Sequence, residues 1–414
     1  MTAEKSKGGK FNVDLNWNFF SFGFIAVIGL GINVAVVKIL NFESLGVFNQ
    51  VLSFYLILSQ LSSFGIHLSI QRYIPEIALK EDRRASLVGA LFTILVTSVA
   101  ILFISHVFFN NISFFSREVR ESVILIIPSV LLFTLNKLFL SYLMGMREMK
   151  AFALFNTLRY VFMGAYLLIL IYFELNIVHL FTITELSLFL ILVLVLRKEL
   201  VFKNRQLIID WFFKHFHFGR KSFFGNLLMD ANTKIDIIVL GLYLNNEMVG
   251  IYSFAAMFYE GFTQVLMVLR NNLNPIISKA YFKSGKALLN KILKRSIKKT
   301  YKYMATLGGL SIIGFPVVLL VFDETEYFYE CWSIFSLLML SNILFAGLLP
   351  LSMVFNQMGM PGKQTLFFSL NFALNLGLNL LLIPFFDIYG AAIALFIANT
   401  VCNSILVKYL FKEN

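Results

Sequence analysis

The sequence predicts an all-α polytopic membrane protein with twelve transmembrane helices, arranged as two pseudo-symmetric six-helix bundles around a central cavity. Of its 414 residues, 58% are hydrophobic and only 14% are charged, and the mean hydropathy is +0.79. A soluble domain has about 25% charged residues. Apolar stretches of about 18 residues or more recur along the chain, and each is long enough to cross a bilayer. One polar motif also occurs twice, once in each half of the chain.

The repeated motif lies in residues 40–60 and 244–264, which align without a gap at an offset of 204 residues. Apolar helices resemble one another in Leu and Phe, but shared polar residues are not explained by such composition. A period of half the chain indicates a duplicated bundle and not a short-repeat solenoid. The identical pairs are Leu40/Leu244, Asn41/Asn245, Glu43/Glu247, Gly46/Gly250, Phe54/Phe258, Tyr55/Tyr259 and Gln60/Gln264.

The apolar stretches divide the chain into two halves with six predicted helices each. An N-terminal bundle covers residues 1–200, a cytoplasmic linker covers 201–220 and a C-terminal bundle covers 221–414. Pro128, Pro316 and Pro350 are expected to interrupt helices 4, 9 and 10, which membrane proteins tolerate where other groups satisfy the backbone. The predicted spans are 18–40, 46–70, 86–109, 121–143, 152–173, 177–196, 221–243, 248–272, 303–322, 331–355, 365–386 and 389–408.

Basic residues are concentrated in alternate loops, whereas the intervening loops carry Glu43, Glu174 and Glu247. Only Arg117 and Arg120 depart from this pattern. The positive-inside rule therefore predicts that both termini and the basic loops are cytoplasmic. The N-terminal tail precedes an apolar stretch too long for a signal sequence, so we expect it to be retained. The basic residues of the alternate loops are Lys5, Lys7, Lys10, Arg72, Lys80, Arg83, Arg84, Arg147, Lys150, Arg197, Lys198, Lys203, Arg205 and those between Lys279 and Lys302.

The longest predicted cytoplasmic segment, residues 276–302, combines apolar and basic residues at helical spacing. Leu289 and Leu293 fall on one face, and Lys291 and Lys298 are among the basic residues opposed to it. Two interpretations are open. The segment is an amphipathic helix lying on the anionic inner leaflet, or its basic residues serve only to fix the topology.

Amide side chains recur on single faces of several predicted helices. A polar side chain in the hydrocarbon region is costly unless it faces a partner or a cavity, so these positions are candidate contacts for a substrate. Amides also commonly hydrogen-bond neighbouring helices, and that alternative is open for the asparagines of helix 11. The candidates are Gln60 in helix 2, Asn226 in helix 7, Gln264 in helix 8, and Asn371, Asn375 and Asn379 in helix 11.

Cationic side chains inside the predicted helices indicate the charge of the substrate. They are Lys137 in helix 4, Arg159 in helix 5, Lys234 in helix 7 and Arg270 near the end of helix 8. All but Lys234 fall in the predicted cytoplasmic half of the helix. A cationic vestibule of this kind suits an anionic substrate that arrives from the cytoplasm.

Carboxylates inside the predicted helices are fewer. Glu185, Asp230 and Glu260 are candidates for binding a coupling proton or cation, and Glu260 stands out because its repeat partner is Leu56. Asp230 and Lys234 are four residues apart and can pair along one helix. For Glu260, a salt bridge to a neighbouring lysine is the open alternative to a coupling role.

The sequence offers no support for catalysis. It has no glycine-rich nucleotide motif, no His/Cys metal cluster and no soluble catalytic lobe, and Cys331 and Cys402 lack metal or redox spacing. We therefore predict no enzyme activity, no cofactor and no metal site. The net charge of +12 is explained by the basic loops, so no nucleic-acid partner is predicted.

Several short motifs resemble those of the polysaccharide flippases, in particular the O-antigen type, of the multidrug/oligosaccharidyl-lipid/polysaccharide exporter superfamily. Glu-x-x-Gly-[Val/Ile]-[Phe/Tyr] opens helices 2 and 8. The other resembling segments are Arg72-Tyr73-Ile74-Pro75-Glu76, Gly359-Met360-Pro361-Gly362-Lys363, Leu380 to Pro384 and Gly390 to Ala394. The resemblance covers essentially the whole chain.

This resemblance implies a function and a location. Such proteins move undecaprenyl-diphosphate-linked oligosaccharides, including O-antigen or capsule repeat units, from the cytoplasmic to the periplasmic leaflet by alternating access. Basic cavity residues bind the anionic substrate. The implied location is the bacterial cytoplasmic (inner) membrane, and the implied partners are membrane lipids, polysaccharide polymerase and glycosyltransferases.

Two other functions compete with the flippase. A cation-coupled multidrug exporter of the same superfamily would favour anionic residues for cationic drugs, and the excess of cations disfavours it. A membrane-embedded polysaccharide polymerase or ligase would carry a large periplasmic loop with catalytic Arg or His, and the sequence has no such loop.

Overall fold

The computed structural model describes residues 2–201, 204–322 and 326–411, and Lys203 of the basic loops lies outside them. All regular elements in these ranges are helical, which confirms the all-α class. The helices are α1 (Thr2–Ile39), α2 (Phe42–Ser63), α3 (Ile66–Tyr73), α4 (Lys80–Asn111), α5 (Arg117–Leu125), α6 (Ile127–Gly145), α7 (Met149–Tyr172), α8 (His179–Leu196), α9 (Arg205–Ala231), α10 (Ile235–Tyr243), α11 (Asn246–Val321), α12 (Phe328–Phe345), α13 (Val354–Gln357) and α14 (Pro361–Phe411).

The helices are long and apolar enough for a polytopic membrane protein. Among the described residues, 8 helices have the length and composition to cross a bilayer, and α1 adds a shorter apolar stretch, Gly23–Ile39. Helix α11 runs without interruption through two predicted spans, 248–272 and 303–322. The predicted count of twelve spans stays a prediction.

Helix α14 contains the boundary between the last two predicted spans. Asp387 has φ 48° and ψ −135°, which breaks the helix within the segment 384–390. Next to this break the chain approaches itself closely, because a Cβ on Gly390 would lie 2.6 Å from the carbonyl oxygen of Leu382. Only glycine fits there without moving the backbone.

The predicted span 46–70 is divided between α2 and α3. Phe64 and Gly65 have φ values of 45° and 71° and interrupt the helix. A Cβ on Gly65 would lie 2.6 Å from the Ser222 hydroxyl of α9. Glycine at 65 therefore serves both the left-handed backbone and the close packing of α9.

The predicted span 221–243 is also divided. Helix α9 ends at Ala231 and α10 begins at Ile235. Lys234 has φ −132° and lies outside both helices. The single helix along which Asp230 and Lys234 were expected to pair is therefore interrupted between these two residues.

Two of the three prolines expected to interrupt helices lie at a break or an irregular turn. The expectation was wrong for Pro316, because α11 continues through it from Asn246 to Val321. Pro128 occupies the first turn of α6, directly after the short helix α5. A proline is well tolerated at that position because the first N–H groups of a helix have no partner within it. Pro350 lies in a 3₁₀ turn, Leu349–Leu351, between α12 and α13.

The residues divide into two compact units. Unit 1 comprises residues 1–40 and 51–230, and unit 2 comprises 41–50 and 231–414. The first turns of α2 thus belong to unit 2, and the boundary near residue 230 lies at the α9–α10 break. The prediction of equivalent bundles at 1–200 and 221–414 stays a prediction.

The core of unit 1 is formed by α3, α4, α6 and α8. Ile66, Ile70, Leu87, Leu138 and Leu188 are fully buried in it. The described part of the predicted linker is helical, because residues 205–220 form the first turns of α9. Ile208 and Trp211 of α9 are buried against Ala85 and Val88 of α4.

The core of unit 2 includes α11, α13 and α14. The apolar face of the predicted amphipathic segment is part of this core. Leu289 and Leu293 are 3% and 1% exposed and pack in one cluster with Leu351, Phe355 and Leu406. Their face is therefore covered by protein. An amphipathic helix that rests these leucines on the lipid surface is not what the structure shows.

Candidate functional site

The most deeply buried charges of unit 1 form one ion pair. Arg159 Nε of α7 lies 2.9 Å from Glu185 Oε1 of α8, and the two side chains are 9% and 3% exposed. Asn136 of α6 donates through Nδ2 to Glu185 Oε2 at 2.8 Å and to the Glu185 carbonyl oxygen at 2.9 Å. The pair thus joins three helices, and Asn136 holds the carboxylate in place.

Arg159 keeps hydrogen-bonding capacity beyond this pair. Its guanidinium carbon lies 4.6 Å from the centroid of the Phe133 ring. The approach to Glu185 is close, but the N–H direction is poor, so Nε and Nη2 are buried without a hydrogen-bond acceptor among the described residues. A buried donor without a hydrogen bond costs free energy, because it has lost its hydration. A guanidinium with free donors is well suited to a phosphate oxygen.

A second cation lies close to this pair. Lys137, adjacent to Asn136 in α6, donates through Nζ to Gln60 Oε1 of α2 at 2.6 Å. Asp230 and Arg159 are near enough to Lys137 to interact with it electrostatically. Asn226, one turn before Asp230, donates to the Ser222 carbonyl oxygen of its own helix at 2.7 Å. Unit 1 therefore brings the predicted residues Gln60, Lys137, Arg159, Glu185 and Asp230 into one charged cluster.

The charged residues of unit 2 form a different cluster. Lys234 Nζ lies 2.6 Å from Glu260 Oε1, and the side chains are 12% and 43% exposed. This salt bridge is the alternative that the sequence left open for Glu260. Close by, Tyr252 donates its hydroxyl proton to Asp236 Oδ2 at 2.6 Å. Asp236 is close enough to Lys234 and Glu260 for electrostatic interaction.

The asparagines of α14 bond to one another and to the α9–α10 break. Asn379 donates through Nδ2 to Asn375 Oδ1 at 3.0 Å, and both side chains are buried. Asn375 in turn donates to Asn232 Oδ1 at 3.3 Å and approaches the Asn232 carbonyl oxygen at 3.5 Å. Asn371 bonds to the Cys402 thiol. Interhelical bonding, the open alternative for this ladder, therefore accounts for part of its polar atoms.

Two predicted residues of α11 are less enclosed. Gln264 is exposed, and Arg270 is partly buried. Arg270 Nε nevertheless has no hydrogen-bond acceptor among the described residues, and it is buried. Both residues belong to unit 2.

Sequence reasoning missed three partners within these clusters. Asn136 directly precedes Lys137 inside a predicted helix. This position next to a cation was a signal from which its role could have been predicted. Tyr252 is equivalent to Phe48 in the repeat. The hydroxyl group that only the second copy carries was a signal in the sequence that this position makes a polar contact. Asn232 gave no signal, because its role arises from the break that follows α9.

A third polar cluster fixes α9 to α3 and α4. His215 Nε2 lies 3.1 Å from the Ser86 carbonyl oxygen, which can only accept, so Nε2 carries the proton. His215 Nδ1 therefore accepts from the Ser69 hydroxyl at 2.7 Å. Burial lowers the pKa of His215 to about 3, since the charged imidazolium loses its hydration there. In the described part of the chain, no group of three or more His, Cys, Asp or Glu side chains is arranged to hold a metal ion.

Solved structures with the same fold include a lipid flippase and a multidrug transporter. The lipid II flippase MurJ, in an inward closed conformation, superposes with a TM-score of 0.77 at 15% identity, covering 95% of this chain and 87% of that chain. A multidrug resistance MATE family transporter of the MOP superfamily, in an inward-facing conformation, gives a TM-score of 0.72 at 16% identity, covering 94% of each chain. These similarities establish the fold.

A search of curated proteins gives no significant match in sequence. The profile of one protein family matches residues 15–282, which is more than half of the chain. Together with the helical fold, this match identifies the chain as a member of the family described as polysaccharide biosynthesis protein.

Proposed function

We propose that this protein flips an oligosaccharide linked to undecaprenyl diphosphate, such as an O-antigen or capsule repeat unit, from the cytoplasmic to the periplasmic leaflet of the bacterial inner membrane. Membership of a polysaccharide biosynthesis family supports the proposal that the substrate contains a glycan. The fold shared with a lipid II flippase supports the proposal that this glycan is carried on a lipid. The observation that carries the proposal is the buried guanidinium of Arg159 beside a second cation, Lys137. Arg159 Nε is paired with Glu185, but Arg159 Nη2 has no acceptor among the described residues. A diphosphate cannot enter a low-dielectric site unless such charges meet it.

The proposed cycle begins at the cytoplasmic side, where the basic loops place both termini by the positive-inside rule. Arg159 and Lys137 of unit 1 capture the diphosphate, and Arg270 of unit 2 is a further candidate for binding an anion. The glycan then contacts the amides, and alternating access exposes it to the periplasm. Lys234 changes partners between Glu260 and the incoming anion, and Asp230 or Glu260 gains or loses a cation in step. The amides assigned to the glycan are Gln60, Asn226, Gln264, Asn371, Asn375 and Asn379.

The family also suggests which enzymes act before and after the flipping step. Glycosyltransferases that assemble the lipid-linked repeat unit would supply the substrate at the inner leaflet. A polysaccharide polymerase at the outer leaflet would use the product. Both are proposed as functional partners, and the membrane lipids are the third.

A second function, cation-coupled multidrug export, has one observation in its favour. The fold is shared with a transporter described as a multidrug resistance MATE family member. The cluster of Asp236, Glu260 and Lys234 in unit 2 would then be its coupling site. Cationic drugs, however, would be repelled by Arg159 and Lys137 in unit 1, so we favour the flippase.

Surface polysaccharide in a strain that lacks its own flippase tests the proposal. Loss of Arg159 alone leaves Glu185 buried and unpaired, which costs about 3–5 kcal/mol, so a single alanine variant would confound stability with function. The double variant Arg159→Met/Glu185→Leu removes both charges and is expected to accumulate normally but to export little glycan. Arg159→Lys keeps the charge and should retain partial export, although lysine cannot copy a bidentate contact to phosphate.

Arg117→Met is the matched control, because the Arg117 side chain is 83% exposed and pairs with Glu121 of its own helix. It should export at the wild-type level. Full export by the Arg159→Met/Glu185→Leu variant at wild-type abundance would rule out capture of the diphosphate by Arg159.

A further inference from the structure

A crevice of about 370 Å³ lies in unit 1, apart from the charged cluster around Arg159. It is formed where α3 ends, where α4 begins and where the first turns of α9 pack against both. Small-molecule sites have volumes of about 300–1,000 Å³, so a small group fits it. The lining residues that matter here are Tyr73, Glu76, Leu79, Asp82, Trp211 and Lys214.

Two aromatic rings of the crevice already hold a cation. Lys214 Nζ lies 4.4 Å from the centroid of the Tyr73 ring and 3.9 Å from that of Trp211. Both distances are within the range of about 6 Å over which a cation is attracted to an aromatic face. The two ring faces therefore form a site with affinity for an ammonium group.

The Trp211 ring is held firmly in place. Its Nε1 donates to Asp82 Oδ1 at 2.5 Å. Behind it the ring stacks on His215, with centroids 5.3 Å apart and an angle of 28° between the planes. His215 is itself fixed by the hydroxyl of Ser69. The aromatic wall is thus pre-formed, which lowers the entropy that binding would cost.

The charges of the crevice suit a ligand with both signs. Glu76 and Asp82 bring two carboxylates, and Lys214 brings one ammonium group. Glu76 is exposed and is shared with Arg72 of the preceding turn. Lys214 is also exposed, and its long flexible stem allows it to leave the rings for an anion. A second ammonium group can then take its place on Tyr73, with Glu76 as the counter-ion.

One edge of the crevice is apolar and open. Leu79, which precedes α4, is 72% exposed. The neighbouring basic residues Arg72 and Lys80 place this edge at the cytoplasmic surface in the predicted topology. In that topology, we expect an exposed leucine beside basic residues to lie at the headgroup region of the inner leaflet.

We propose that this crevice binds the headgroup of a zwitterionic, ammonium-bearing phospholipid of the inner leaflet. The ammonium group lies on the Tyr73 ring beside Glu76, Lys214 meets the phosphate, and the glycerol end passes along Leu79. This lipid is a resident of the site and not the transported substrate, so the proposal does not depend on the flippase function.

Tryptophan fluorescence of the full-length protein in detergent micelles tests the site. The chain has 3 tryptophans, so Trp17→Phe and Trp332→Phe leave Trp211 as the sole reporter. Short-chain phosphatidylethanolamine and phosphatidylcholine should both change its emission at concentrations about tenfold below those needed with phosphatidylglycerol, which lacks the ammonium group. Tyr73→Leu and Lys214→Met should each weaken binding of phosphatidylethanolamine by about three- to tenfold. Lys221→Met, an exposed lysine of the same helix, is the matched control and should bind normally.

The result that overturns the proposal is an affinity for phosphatidylglycerol that equals or exceeds the affinity for phosphatidylethanolamine. Equal affinities would mean that only the shared phosphate and acyl chains are recognised, and tighter binding of phosphatidylglycerol would mean that a basic surface alone is responsible. Binding that is unaffected by Tyr73→Leu would place the lipid elsewhere on the protein and would equally reject this site. Free phosphoethanolamine forms a further arm. It should bind more weakly than the lipid, because it cannot use Leu79, and equal affinity would reject the lipid in favour of a soluble ligand.

Discussion

Gly46 and Gly250, which are equivalent residues of the two repeats, pack against one another's helices in a reciprocal contact within unit 2. A Cβ on Gly46 would lie 1.7 Å from the Asn246 carbonyl oxygen, and a Cβ on Gly250 would lie 1.9 Å from the Phe42 carbonyl oxygen. Phe42 and Asn246 are also equivalent at the offset of 204 residues. Each copy of the motif therefore contacts the same position of the other copy, as in a two-fold symmetric interface.

The asparagines of the motif act in the same symmetric way. Asn41 Oδ1 accepts from the Ser44 backbone N–H at 2.7 Å, and Asn245 Oδ1 accepts from the Met248 backbone N–H at 3.0 Å. Each thus caps the helix that carries its glycine. The repeated polar residues are explained by this pair of capped, closely packed helix ends.

The first prediction concerns the glycine contact. Gly46→Ala and Gly250→Ala should each destabilise the protein by about 1–3 kcal/mol, because the obstructing atoms are backbone and the helices must separate. The double variant should cost less than the sum of the two, since one separation accommodates both methyl groups. Thermal unfolding followed by fluorescence measures this. Gly261→Ala in the same helix is the control, because its Cβ would meet nothing within 4 Å. Melting temperatures equal to that of the control would contradict the prediction.

The second prediction concerns the ion pair of unit 1. Glu185→Gln keeps the shape of the side chain but leaves Arg159 buried without a counter-ion, so the free protein should lose about 3–5 kcal/mol of stability. Undecaprenyl diphosphate should restore part of this loss, because it supplies the missing negative charge. The shift in melting temperature on adding this lipid should therefore be larger for the variant than for the wild type. An equal shift would show that the diphosphate does not reach Arg159.

The third prediction concerns the salt bridge of unit 2. Lys234→Glu should lower stability, because two carboxylates then face each other, and Glu260→Lys should do so for the opposite reason. The charge-reversed double variant Lys234→Glu/Glu260→Lys should recover most of the loss. Since the Glu260 side chain is 43% exposed, we expect only a modest gain from the pair. Thermal unfolding of the four proteins measures this coupling, and losses that simply add would contradict the contact.

The fourth prediction concerns His215. Its pKa is about 3 in the folded protein and about 6.5 when unfolded, so between these values the unfolded chain binds more protons. Stability is therefore fully present above about pH 6.5 and falls with decreasing pH, by about 1.4 kcal/mol per pH unit for one proton. Unfolding measured between pH 4 and 7 should show a smaller slope for His215→Gln than for the wild type.

The matched control for this experiment is His217→Gln, because His217 is exposed on the same helix. Glutamine at 215 can still donate to the Ser86 carbonyl group and accept from Ser69, so the change removes the titration more than the packing. Equal slopes in the wild type and His215→Gln would mean that other groups cause the pH dependence.

Much of the fold was predictable because hydropathy is a local property. An apolar stretch of sufficient length must form a helix in a bilayer, where each backbone N–H and C=O needs a partner. The same reasoning placed the boundary between the last two spans after residue 386, and Asp387 breaks the helix there. The repeat also singled out Gly46 and Gly250, although it did not say that they touch.

The pairing of the charges was decided only by the tertiary structure. Sequence spacing allowed Lys234 to pair with Asp230 along one helix, but the structure pairs it with Glu260. The reason is the break after Ala231, where Asn375 of α14 reaches the side chain of Asn232. Asn232 and Asn375 are 143 residues apart, so their contact cannot be predicted from the local sequence around either residue.

The sequence by itself determined the helical membrane class and the duplicated motif, since these follow from composition and period. Tertiary structure decided where helices break and which partner each buried charge has. It also decided that Leu289 and Leu293 pack on protein. An apolar face has the same sequence pattern whether lipid or protein covers it, and only the packing of distant helices makes that choice.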